Sequence, residues 1–358
     1  MTTADILRLR LYNEQLVHPQ FKTAAEVVKH LGAVQSQDYA GAKWALAQRL
    51  ENTSEASLDE AYDNGEILRT HALRPTWHFV HPDDILWILS LNAPGYKRIA
   101  KYYYSQLGLT EKLMKQSQEI IHNALHGGKA LTRTELGEFL LKANIPGTGQ
   151  ALGHVMGEAE IDGVVCSGPR RGKQFTYMLI SERAPHAKQL NKQESLAELT
   201  KRYFTSHGPA QMKDFAWWTG LPVADVKEGL ELNKSSLMKE IIDGKEYWFS
   251  DKVHYGKEMP KAAYLLPNYD EYAIAYKDRE AFYDPAHGEI SSSRGNLIFG
   301  HMIFIEGKIV GMWRRTLLKK HVEIETLVHR ELSSDETHRL HKAAEQYGKF
   351  LGLDVIIK

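Results

Sequence analysis

At 358 residues, 43% of them hydrophobic and 25% charged, the chain is an ordinary globular one. At about 100–200 residues per domain it should hold two to four units. Forty-five basic residues balance forty-five acidic ones, so no whole-molecule field attracts a polyanion and any nucleic-acid site must be local. The only cysteine, Cys166, excludes an internal disulfide and fits a reducing cytoplasm; no signal-peptide layout opens the chain, and no apolar run approaches the roughly 18 residues of a membrane span.

In chain order, ILRLRLYNEQL (6–16) has helical periodicity, and Thr23 with Glu26 has the spacing of a capping box ahead of a second helix. A third helix follows GAVQSQD, a fourth covers SLDEAYDNGEI (57–67), and LRTHALRPTWHFV (68–80) alternates like a wing hairpin. The order recurs with a helix near 110–126, Thr132 and Glu135 at capping-box spacing, a helix at 148–160 and the hairpin GVVCSGPRRGKQFTYML (163–179). It recurs again in ESLAELTKRYFTSHG (194–208), QMKDFAWWTG (211–220), PVADVKEGLEL (222–232) and the hairpin LMKEIIDGKEYWFS (237–250) around Asp243-Gly244. From about 262 the stretches YLLPNYDEYAIAYKDR, NLIFGHMIFIEGKIVGMWRR and KHVEIETLVHREL alternate at period two, before an amphipathic helix (334–352) and a last strand, LDVIIK. The expected fold class is α+β: three tandem winged-helix-like units at 1–82, 83–185 and 186–258, then a C-terminal β-rich, barrel-like domain at 259–358.

Common catalytic frames are absent. GTGQALG (147–153) and HGGKALT (126–132) lack the frames of a dinucleotide loop and a P-loop, there is no Gly-x-Ser-x-Gly, and Cys166 lies in an apolar strand where a thiol is inert. His71, His78 and His81, and His338 with His341, lack the carboxylate or cysteine company of a zinc site, so no metal and no cofactor is expected. The basic residues are more informative. Arg170, Arg171 and Lys173 fall at a hairpin tip, Arg69 and Arg74 border the first wing, Arg279 ends YKDR, and Arg314-Arg315 with Lys319, Lys320 and His321 form a second patch. Each alone reads as a solvated charge; as a set at wing positions they favour DNA, because wings and helix ends are where such units touch it.

The most unusual stretch is Ala33-Val34-Gln35-Ser36-Gln37-Asp38. In a helix Gln35 and Gln37 would point about 200° apart, so they converge only if this corner is extended. Asp38 then reads as the N-cap of a helix over 40–50, its carboxylate committed to backbone amides. On spacing alone, the glutamines satisfying backbone groups at a corner is as good an account as any chemical one.

These residues resemble the AlkZ-type winged-helix DNA glycosylases, whose marker is Gln-x-Gln near the N-terminus with an aliphatic middle residue in the best-known members; here that residue is Ser36. The resemblance continues through Arg69-Thr-His-Ala-Leu-Arg74-Pro-Thr-Trp-His78, Leu266-Pro267-Asn-Tyr269-Asp270-Glu271-Tyr272 with Arg279, and Gly311-x-Trp313-Arg314-Arg315, in order along almost the whole chain. It implies three winged helices and a β-barrel around a C-shaped cleft, and excision of cationic alkyl-purines, bulky or crosslinked adducts included. With it, Gln35 and Gln37 are assigned to catalysis, with Asp38 as an alternative water activator, and Arg69, Arg74, His78, Tyr269, Asp270, Arg279, Arg314 and Arg315 to DNA, joined by Arg170, Arg171 and Lys173 from their hairpin-tip position alone. An alkylated purine is already a good leaving group, so a positioned water and support for the sugar cation suffice, and carboxamides supply both. The expected partner is damaged double-stranded DNA, bound by a cytoplasmic monomer with no membrane contact. A non-catalytic winged-helix DNA-binding protein and a protein- or ligand-binding scaffold are the competing readings.

Overall fold

The computed structural model describes residues 1–250, 256, 258–283 and 300–358. After an N-terminal helix, α1 (Thr3–Asn13), one order of elements occurs three times. First come α2 (Ala24–Leu31), β1 (Val34–Gln35), α3 (Tyr39–Ala47), α4 (Glu55–Asn64), β2 (Leu68–His71) and β3 (Trp77–Val80). After a long helix, α5 (Ile85–Gln106), follow α6 (Glu111–Leu125), β4 (Leu131–Thr132), α7 (Arg133–Lys142), α8 (Gly149–Ile161), β5 (Val165–Arg171) and β6 (Gln174–Leu179). A short helix, α9 (Ile180–Arg183), leads to α10 (Lys192–Ser206), α11 (Met212–Thr219), α12 (Val223–Leu232), β7 (Met238–Ile242) and β8 (Lys245–Phe249). Each time the hairpin's second strand pairs with a very short extended piece just before a helix: β1-β3-β2, β4-β6-β5, and Ala210 bridging Trp248 beside β7-β8.

Local chemistry explains the boundaries. Thr23 with Glu26 and Thr132 with Glu135 form the capping boxes expected of them, each side chain satisfying an amide at the other's end. Asp243 and Gly244 both have positive φ, 49° and 73°, as do Glu306 and Gly307 at 50° and 81°, the backbone that two-residue hairpin turns need.

The C-terminal part is an open five-stranded sheet, β9 (Ala263–Leu266), β10 (Met302–Ile305), β11 (Lys308–Leu317), β12 (His321–Val328) and β13 (Asp354–Ile357), with helix α14 (Ser334–Leu351) before the last strand. The order is β13-β12-β11-β10-β9; only the β12–β13 pair is parallel, because α14 provides its crossover. The period-two expectation fails at 271–276. Asp270 caps a short helix, α13 (Glu271–Ile274), and Glu271 to Tyr276 are buried on every side, so no solvent face imposes alternation. Of the expected strand over NLIFGHMIFI, residues 296–299 lie outside the described residues. The 22-residue α5 has no counterpart in the sequence reading.

Two cores fix the first segment. Trp44 on α3 packs on Tyr347 of α14 at 5.0 Å between ring centroids and donates its indole N–H to the Leu265 carbonyl at 2.6 Å, joining α3 to the C-terminal sheet. A second cluster links Leu7 and Leu11 of α1 with Tyr203 and Trp218 of the third segment and with Tyr272 and Phe304. Burying each such ring contributes about 2–3 kcal/mol. The Gln-Ser-Gln corner is thus clamped between three parts of the chain. Among the described residues no helix is long and apolar enough to cross a membrane.

Candidate active site

The corner is extended, as its composition suggests. β1 pairs with β3 in the register Val34↔Phe79 and Gln35↔His78, and the Ser36 amide continues the ladder by donating to the Trp77 carbonyl at 2.7 Å. The strand ends at Gln35, and Gln37 lies in the bend that follows, its side chain reaching back to the Trp77 amide. Ser36 is fully buried and its hydroxyl has no partner among the described residues.

The two glutamines are held differently. Gln35 is 6% exposed; its Oε1 accepts from Arg74 Nη2 at 2.8 Å. A guanidinium only donates, so it fixes which end of the carboxamide faces it and turns the NH2 the other way. Gln37 is exposed, and its Oε1 accepts from the Trp77 amide at 3.4 Å. Neither carboxamide nitrogen is given a partner among the described residues. Arg74 has φ +52°, an uncommon backbone for a residue with a Cβ, stabilised by bonds from its Nη1 to the carbonyls of Trp218 and Trp217 at 2.9 and 3.3 Å. Burial lowers its pKa to about 10, which leaves it charged at neutral pH.

Asp38 caps α3 as expected: its Oδ1 accepts from the Gly41 amide at 3.0 Å, and Arg315 Nη2 stands 4.0 Å from its Oδ2. A Cβ at Gly41 would lie 2.9 Å from Asp38 Oδ2 and 3.2 Å from Pro267, so glycine alone permits this approach. Beside it, burial, with the Arg315 charge adding to it, holds the His301 imidazole down at about 4, and His301 Nδ1 accepts from the Asn268 amide at 3.2 Å.

Behind Gln35 lies a buried polar network. Glu271 is fully buried; its Oε1 accepts from the Gln35 amide at 2.7 Å and its Oε2 from the Trp218 indole at 2.8 Å, with His207 Nε2 3.7 Å away. Burial alone would raise this carboxyl, but His207 and the Gln35 amide outweigh it and the net pKa is lowered. Tyr276 donates to Glu14 at 2.9 Å, and Arg49, fully buried, bridges Glu14 at 2.8 Å and both oxygens of Asp270 at 2.8 and 3.0 Å. One guanidinium between two carboxylates leaves burial to push Glu14 up to about 7.

The structure separates the candidate DNA residues. Several lie in the interior. Asp270 is fully buried in the Arg49 ion pair. His78 is fully buried on β3, its Nδ1 bonded to the Thr76 carbonyl at 2.8 Å and its pKa lowered by burial to about 3. Arg69 is 6% exposed and spends Nε and Nη2 on the Ser36 carbonyl at 3.2 and 3.1 Å. Nor is Arg170 at the hairpin tip: the turn is Gly172-Lys173 between paired Arg171 and Gln174, and a register shift after Gly168 tucks Arg170 in over Tyr39 and Phe175. Arg171 is exposed and paired with Glu135 at 2.7 Å, and Lys173 and Arg314 are exposed. Half-buried Arg279 and Arg74 lie over Trp217 at 5.5 and 5.8 Å, and Tyr269, half-buried with φ +62°, shapes the turn before α13. Glu271 and Trp77 lie in the motifs quoted above but were given no role from sequence, and Trp217 lay outside them; the Gln35 amide that Glu271 accepts is 236 positions away, beyond the reach of a local pattern.

The comparisons with known proteins place this α+β frame of repeated helix-and-hairpin segments among the DNA glycosylases. The family model described as DNA glycosylase AlkZ-like matches residues 28–350, most of the chain. The chain is 24% identical over 317 residues, 84% of each sequence, to the interstrand DNA cross-link repair glycosylase of Streptomyces sahachiroi. It also superposes on the solved structure of the Streptomyces sahachiroi DNA glycosylase AlkZ with a TM-score of 0.81, 20% identity and 100% of both chains covered. The chain belongs to the AlkZ-like DNA glycosylase family.

Proposed function

We propose that the protein is a monofunctional DNA repair glycosylase that hydrolyses the N-glycosidic bond of cationic alkylated purines in double-stranded DNA, bulky or crosslinked adducts included. The observation that carries this reading is that Gln35 and Gln37 flank Ser36 at the end of β1, each carboxamide oxygen held by a donor and neither carboxamide nitrogen bonded among the described residues. A carbonyl oxygen has two lone pairs, so each Oε1 keeps one for a water while each NH2 donates to a sugar or phosphate oxygen. Arg74 makes this pre-organised: it fixes the Gln35 carboxamide before DNA arrives. Neither glutamine is an acid or base, which restricts the substrate to a base that leaves without protonation. Asp38 is the weaker candidate for activating water, because one of its oxygens caps α3.

In the same reading the three helix-and-hairpin segments act as tandem winged helices, 1–82, 83–185 and 186–258, with 259–358 closing a cleft around DNA. Arg171, Lys173, Arg279, Arg314 and Arg315 are the phosphate-facing candidates that remain. The protein acts as a cytoplasmic monomer and needs no metal or cofactor.

The test is release of base from a duplex carrying N7-alkylguanine. The Gln35→Ala, Gln37→Ala double variant should lose about 100-fold or more of the single-turnover rate, by analogy with deleting a pre-organised polar group in other enzymes. Undiminished release by a folded double variant would assign the glutamines to structure and leave DNA binding without their chemistry.

A further inference from the structure

The carbonyl between the two glutamines is gripped from a different segment of the chain. Arg69 donates twice to the Ser36 oxygen, at 3.2 and 3.1 Å, and its own amide donates to Ser167 of β5 at 2.8 Å. Two hydrogen bonds do not by themselves fix a long side chain; its flat faces must be filled too. Two aromatic rings lie against it, the Trp77 centroid 4.1 Å and the Phe175 centroid 4.6 Å from the guanidinium carbon.

The His71 ring lies 3.8 Å from that of Trp77, tilted by 40°, and its Nδ1 contacts the buried carboxylate of Glu160. Arg170 lies 5.2 Å from the Phe175 ring and 5.0 Å from that of Tyr39, the residue after Asp38, whose hydroxyl donates to Asp59 at 2.9 Å. Phe175 also meets Tyr39 edge-on at 5.2 Å. Arg69 and Arg170 are thus each set against two aromatic rings, with Trp77, Arg69 and Tyr39 coming from the first segment and Phe175 and Arg170 from the β5–β6 hairpin. A cavity of about 430 Å³ opens beside them, lined by Arg69, Trp77, Phe175, Tyr177, Arg133 and Lys173 among others. Trp77 and Phe175, which line this cavity, are the same rings that lie against Arg69.

We propose that Phe175, backed by Arg170, is a positioning residue for the Gln35-Ser36-Gln37 strand and acts on it through Arg69. Trp77 also holds the same strand through its backbone, its carbonyl accepting from the Ser36 amide and its amide donating to Gln37 Oε1. Without the second ring the guanidinium keeps its hydrogen-bonding partner but loses one wall, and the Ser36 carbonyl loses a fixed donor. The consequence for the reaction rests on the glycosylase reading; the positioning itself does not.

Phe175→Leu keeps an apolar side chain and removes the π face; Phe175→Tyr keeps the face. Hydrogen exchange of the intact protein, read by mass spectrometry on peptides covering residues 34–38, should speed about tenfold in Phe175→Leu and return to the wild-type rate in Phe175→Tyr, at nearly constant melting temperature. In parallel, the single-turnover rate on N7-alkylguanine duplex should fall about as much in Phe175→Leu while DNA affinity holds, and Phe175→Tyr should restore it. Unchanged exchange at 34–38 in Phe175→Leu, or equal loss in both variants, overturns the proposal. Accelerated exchange in Phe175→Leu alone, with no base release even by wild type, upholds the positioning and sinks the glycosylase reading.

Discussion

Replacing Glu271 by Gln removes one charge from behind Gln35 while keeping the side chain's shape. The carboxylate accepts two short bonds, from the Gln35 amide at 2.7 Å and the Trp218 indole at 2.8 Å, one on each oxygen. A carboxamide has one acceptor oxygen, so its NH2 must face one of these donors and leave it buried and unpaired. With bonds to an ionised group contributing about 1.5–3 kcal/mol each, the variant should lose about 2–4 kcal/mol. At about 2.1 cal/mol/K per residue for 358 residues, that is a fall in Tm of roughly 3–5 °C if the chain melts as one unit. Because the folded carboxyl sits below its ordinary value of 4.5, its stabilisation is complete above about pH 4.5 and is lost as the pH falls through the lowered value. The gap between wild type and variant should therefore be widest at neutral pH and close in acid. Thermal melts followed by circular dichroism at pH 7.5 and pH 4 measure both effects, and base release should slow about tenfold as the Gln35 backbone loses its anchor. A variant melting within about 1 °C of wild type at pH 7.5 would refute the claim that this carboxylate holds the strand.

Arg49→Met should cost about 3–5 kcal/mol, because Glu14 and Asp270 are left facing each other in the interior without a cation. Glu14 is already raised to about 7 by burial, so protonation should return part of the loss as the pH falls below that value, seen as a urea midpoint higher at pH 6 than at pH 8. His78 stays neutral in the fold down to about pH 3 while an unfolded histidine gains its proton near 6.5, so it makes stability rise with pH between those values and contributes nothing further above. On the order of 3–5 kcal/mol is at stake for so buried a ring. His78→Asn should flatten the acid limb of stability between pH 3 and 6.5, and an unchanged slope in urea titrations would contradict the assignment.

The legible part of the fold was whatever depends on neighbours in sequence. Capping boxes at Thr23 and Thr132, the Asp38 cap, the three hairpins and α14 follow from spacing, since each is held by hydrogen bonds closing within a few residues. The extended corner was legible too, because glutamines at i and i+2 point apart in a helix. The stretch at 271–276 was misread: once all its faces are buried, apolar content no longer reports the period.

The sequence by itself determined which residues could do the chemistry: two glutamines without acid–base power, an aspartate committed to a cap, and a set of arginines and lysines. Only the tertiary structure decided what those residues do. It placed Asp270, His78 and Arg69 in the interior with partners there, because a charge is recognised as buried only when its partner is known, and Arg49 meets Asp270 across 221 residues of chain. It also brought Phe175 and Glu271 to the two sides of the Gln35-Ser36-Gln37 strand. Long-range packing chooses such neighbours by shape and charge, and neither leaves a mark in the local sequence pattern.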